Sequence, residues 1–133
     1  MTFDEIRRAV TARMVAWNGI PSGDIDYPND GRGLFRSEGK DLWARFNVIS
    51  GITGTPEIGS RPYVMRTGMV VVQLFVPIQT DITRITVAAD GVRELFEFAS
   101  VGGVEFEEAS LIEVGDDGYG WYQINVRIFY TAR

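Results

Sequence analysis

An α+β fold is predicted: a two-layer sandwich in which two helices cover one face of a four-stranded, mainly antiparallel sheet, in the order α-β-β-α-β-β. Three observations predict it. The closing stretch Gly120 to Thr131 alternates strictly, with Tyr122, Ile124, Val126, Ile128 and Tyr130 in one apolar row and Trp121, Gln123, Asn125, Arg127 and Phe129 in the other. That is the period of a strand with one face on a core. Two other segments, Phe3 to Trp17 and Ile82 to Ala99, repeat their apolar residues at helical spacing instead. Between them, the run within Tyr63 to Pro77 is apolar almost throughout, as a central strand should be.

The first helix opens on Thr2-Phe3-Asp4-Glu5, a capping box, and carries Phe3, Ile6, Val10, Met14 and Trp17 on one stripe. Asn18-Gly19-Ile20-Pro21 ends it. Pro21 to Lys40 is polar, rich in Gly, Asp and Pro, and reads as a long connection with one short extended piece near Ile25-Asp26-Tyr27. Asp41 to Ile49 alternates again: Leu42, Ala44, Phe46 and Val48 against Trp43, Arg45 and Asn47. Ser50 to Pro62 reads as a second loop and Tyr63 to Pro77 as the longest strand. Thr80 or Asp81 caps the second helix, where Gly91 is expected to permit close approach to the sheet. Val101-Gly102-Gly103 breaks the chain, Val104 to Val114 forms a strand with a bulge near Glu108, and Gly115-Asp116-Asp117-Gly118 turns into the last strand.

The chain of 133 residues reads as one domain, 1–133, with no Cys and no His. Disulfides, thiolate nucleophiles, the common zinc frameworks and the usual general base are therefore excluded. The net charge of -5 argues against nucleic-acid and acidic-membrane binding. Its start lacks a basic, apolar leader, so synthesis in the cytosol is expected. Charge is unevenly placed: Arg32, Arg36, Lys40, Arg45, Arg61 and Arg66 make one segment basic, while Val104 to Gly120 holds Glu105, Glu107, Glu108, Glu113, Asp116 and Asp117 without a cation.

No pattern of activated nucleophile, paired catalytic carboxylates or phosphate loop is found, and Asp24 to Gly31 lacks the closing Glu of a calcium loop. No cofactor or metal is expected, and no enzyme. What stands out is the second sheet face. If the strand phases hold, it gathers Trp43, Arg45, Trp121, Gln123, Asn125, Arg127 and Phe129, and no helix covers it. Aromatics and Arg are enriched at interfaces, so a protein partner is expected there. A different reading, a small-molecule domain with its pocket between the Pro21 to Lys40 loop and the sheet, is kept open.

The N-terminal amphipathic helix ending in Trp17, the stretch Arg61-Pro62-Tyr63 to Gly68, the strand Met69 to Pro77, the helix leading to Leu95-Phe96 and the closing Gly120-Trp121-Tyr122-Gln123-Ile124-Asn125-Val126 together resemble the tail-terminator-like proteins of long-tailed bacteriophages. The resemblance implies a structural virion protein, assembled in the host cytoplasm and placed at the head-proximal end of the tail. It implies a homo-oligomer, a hexameric ring, that stops polymerisation of the tail tube protein and meets a head-tail connector protein. Other head-tail joining and tail-tube proteins share related folds. Subunit contact is expected to bring Arg45, Arg61 or Arg66 of one copy to the Glu105, Glu107 to Asp117 region of the next.

Overall fold

The computed structural model describes residues 1–55, 59 and 64–133. Helix α1 spans Phe3–Ala16 and begins as its sequence requires: the Thr2 hydroxyl accepts from the Glu5 amide at 3.1 Å and the Glu5 carboxylate accepts from the Thr2 amide at 3.1 Å. After a short 3-10 turn at Ser22–Asp24 come strands β1 (Ile25–Asp26), β2 (Trp43–Gly54) and β3 (Met65–Pro77), helix α2 (Thr83–Phe96), and strands β4 (Ser100–Val101), β5 (Val104–Asp116) and β6 (Trp121–Ala132).

The sheet is six-stranded and mixed, ordered β1-β2-β3-β6-β5-β4, and it curls into a half-barrel. This corrects the four-stranded antiparallel sandwich and its element order. The four long strands of the prediction are β2, β3, β5 and β6. The additions to the sheet are β1, the short extended piece expected near Ile25-Asp26-Tyr27, which pairs parallel with β2 at Ile25↔Ala44 and Asp26↔Arg45, and β4, which folds back on β5 at Ser100↔Glu105 and Val101↔Val104. Two residues cannot display a period. Each of these strands exists only because a neighbour supplies its hydrogen bonds. β2 also continues beyond Ile49 to Gly54, through residues read as loop, because β3 begins early enough at Met65 to pair with it across an irregularity between Ser50 and Thr53.

Register places Ala44, Leu74 and Ile124 in one row, Phe46, Val72 and Val126 in the next, then Val48, Val70 and Ile128. Against this face lie Ile6, Val10 and Met14 of α1 and Ile85, Ala88, Ala89, Val92 and Phe96 of α2, in one continuous core. Burial of such side chains contributes about 1.5–3 kcal/mol each. Gly91 serves the other helix end: a Cβ there would come within 3.0 Å of the Trp17 ring, so the glycine admits Trp17 and not the sheet.

The α1 cap carries a pH prediction. The Thr2 backbone hydrogen bond, followed by its side-chain bond, holds the Glu5 carboxyl below its ordinary range. A lowered folded pKa means the stabilisation is complete above the unfolded value of about 4.3 and is lost as pH falls through the folded one. Glu5→Gln, which removes the titrating carboxylate, is expected to lower stability at pH 7, with the difference from wild type shrinking on acidification below about pH 4. Parallel urea titrations at both pH values test this, and an unchanged difference would refute it.

Candidate interface

The second sheet face is assembled by the same registers. Trp43, Phe75 and Gln123 share a row, Arg45, Gln73 and Asn125 the next, then Asn47, Val71 and Arg127, then Ile49, Met69 and Phe129, with Trp121 beside Pro77 at the end. The strand phases therefore do bring Trp43, Arg45, Trp121, Gln123, Asn125, Arg127 and Phe129 onto one face.

That face is not bare throughout. Trp43 is buried, stacked on Phe75 with ring centroids 4.0 Å apart, met edge-on by Trp121 at 5.7 Å, and covered by Phe35 at 5.2 Å. The Arg45 guanidinium lies 5.4 Å above the Trp43 ring while its Nε donates to Asp26 Oδ2 at 3.1 Å. Gln123 is also buried and donates through Nε2 to Asn125 Oδ1 at 2.8 Å. The connection before β2 thus folds back over one end of the face, held there by Phe35 on the Trp43 ring and by Asp26 on Arg45, contacts between irregular segments that hydropathy alone does not signal.

The opposite end is open. Phe129 is 46% exposed, with the Arg127 guanidinium 5.3 Å over its ring, and the Nε of Arg127 is buried without a hydrogen-bond acceptor among the described residues. Ile49, Met69, Phe129 and Glu107 line a shallow groove of about 390 Å³. Tyr130, at its floor, has its pKa raised by burial, partly offset by a hydrogen bond with Ser50.

Arg66 is placed differently. Its Nε donates to the Met1 carbonyl at 3.0 Å, a terminal nitrogen reaches Thr53 Oγ1 at 3.3 Å, and the guanidinium sits 4.5 Å over the Phe3 ring. Glu105 and Glu107 are exposed on β5. Arg66 and Glu105 stand near the same end of the sheet, since Arg66 is opposite Ala132 and Glu105 opposite Thr131, whereas Arg45 lies toward the other end. Arg61 lies outside the described residues.

The carboxylates of the Asp24 to Gly31 stretch are occupied. Asp24 pairs with Lys40 at 2.6 Å, Asp26 with Arg45 at 3.1 Å and Asp30 with Arg32 at 2.6 Å, so the carboxylates of the calcium-like stretch neutralise their own neighbours. Among the described residues no group of three or more Asp or Glu is arranged to hold a metal ion, and no helix is long and apolar enough to cross a membrane. Between the long connection and the sheet lies an open groove of about 530 Å³ beside Trp43 and Arg45.

Comparison defines the class: a structural protein of phage tails. More particularly, the chain belongs to the phage tail terminator protein family, which matches residues 5–130. A solved structure with 17% sequence identity shares the fold with a TM-score of 0.71, covering 100% of this chain and 96% of that one. No curated protein matches.

Proposed function

We propose that this protein caps the head-proximal end of a phage tail tube as a ring of six copies, stops tube polymerisation and presents a surface to the head-tail connector. Membership of the tail terminator family over residues 5–130 carries this reading. The charge layout supports its subunit contact. Arg45 is already matched by Asp26, but among the described residues Arg66 and Arg127 have no carboxylate within ion-pair distance, while Glu105 and Glu107 are exposed. A head-to-tail ring needs two different complementary patches per copy, and these residues provide them.

Sedimentation across concentration, with and without salt, followed by addition of tail tubes, tests the reading. Rings that weaken in salt and bind only tube ends are expected; a protein that stays monomeric and leaves tube growth unaffected would end it. Arg66→Glu is expected to weaken ring formation at low salt by on the order of 2 kcal/mol per contact, and rings of unchanged affinity would remove Arg66 from the interface.

A further inference from the structure

Both long edges of the sheet are partly blocked and then open. On one side β1 pairs with β2 at Ala44 and Arg45; from Phe46 to Gly54 the outer edge of β2 has no strand partner among the described residues. On the other side the start of β5 is covered by β4 and by the turn after α2: Phe98 donates to the Glu107 carbonyl at 3.2 Å, and the Ala109 amide donates to Glu97 Oε2 at 2.9 Å. From Ser110 to Asp116 that edge too lacks a strand partner among the described residues.

Monomeric proteins usually guard such edges with charge or proline. Phe46 to Gly54 contains neither. On β5, Glu113 and Asp116 carry charge, but the apolar Leu111, Ile112 and Val114 between and before them are 49%, 37% and 47% exposed. Unpaired backbone beside apolar side chains is the surface on which a further strand adds.

We infer that the open edge of β2 in one copy receives the open edge of β5 from the next copy. Direction favours this occupant: successive antiparallel pairings, β2 with β3, β3 with β6 and β6 with β5, leave β2 and β5 running in opposite senses. A copy added in the same orientation therefore presents β5 antiparallel to β2, and the contact repeats head to tail. The two blocks bound the register: β1 stops the incoming strand before Phe46, and the Glu97 and Phe98 contacts stop it before Ser110. Within those bounds, a pairing that sets Ile49 against Ile112 keeps the two strands in phase. Ile49 and Ile112 both project from the second face, Ile49 opposite Met69 and Ile112 opposite Asn125, as direct cross-strand neighbours must. The curl of each sheet then carries successive copies around toward closure.

This inference rests on the ring reading and is tested separately from it. The chain has no cysteine, so introduced thiols report cleanly. The variant Ile49→Cys/Ile112→Cys, oxidised at concentrations where sedimentation detects rings, is expected to give a cross-linked ladder that ends at a closed covalent ring, while either single variant stops at dimer. Asn47→Cys and Gly51→Cys, each combined with Ile112→Cys, cover a slip of one strand repeat either way. Rings without a ladder in any of the three double variants would overturn edge pairing and leave the ring intact. Absence of rings, both free and on tube ends, would overturn both.

Discussion

Trp43→Ala is expected to lower unfolding free energy by about 3–5 kcal/mol, the range for removing a buried aromatic from a well-packed site. The indole is 4% exposed and shares contacts with Phe35, Phe75 and Trp121, so its loss leaves a cavity that the rigid strands beneath cannot close. The segment before β2 should loosen with it, since Phe35 and Arg45 both lie on that ring. Trp43→Phe separates packing from hydrogen bonding. The indole Nε1 is buried without an acceptor among the described residues, so Phe keeps much of the stack and removes an unpaired donor. Denaturant titration with an unchanged slope measures both. A Trp43→Ala cost below about 1 kcal/mol would show that the stack contributes little.

Gly68→Ala is expected to cost about 1–3 kcal/mol, as overpacking does, although the residue lies in an ordinary strand. A Cβ at Gly68 would stand 2.5 Å from the Ile49 carbonyl oxygen and against the Tyr130 hydroxyl. The Tyr130 side chain could shift, but the β2 backbone could not without disturbing its pairing with β3 at Ile49↔Met69 and Ser50↔Gly68. The same pairing leads into the groove beside Phe129, so the substitution should also reduce ring formation. Thermal unfolding together with sedimentation reads both effects; a fully stable variant would mean that the strands separate there at no cost.

These two positions differ in how far they could be read beforehand. Alternation sets Trp43 on the face shared with Trp121 and Arg127, as the register has it, but alternation alone leaves it open to a partner, whereas it is buried. Its own chain covers it, because Phe35 reaches back from a connection too irregular to carry a period. Gly68 gave no local signal, since its constraint is a neighbouring strand's carbonyl and a tyrosine sixty-two positions away in the sequence. Arg66 was grouped with Arg45 by proximity in the chain, but the sheet sets them toward opposite ends, and Arg66 is tied to the start of α1.

Local periodicity sufficed for the stripes of α1 and α2, for the existence of the four long strands and for the faces they present, and a capping box sufficed for the start of α1, because those features depend on residues a few positions apart; α2 instead begins at an Ile82 cap that has no side-chain bond, with Asp81 accepting from the Thr83 amide. The resemblance carried by the same residues led to the tail terminator family. Tertiary structure alone decided the rest: the parallel pairing of the short Ile25-Asp26 piece as β1, the two-residue strand β4, the curl of the sheet, the cover over Trp43, and the stretches of β2 and β5 left unpaired. Each depends on hydrogen bonds and contacts between segments far apart in the chain, and no window of neighbouring residues contains them.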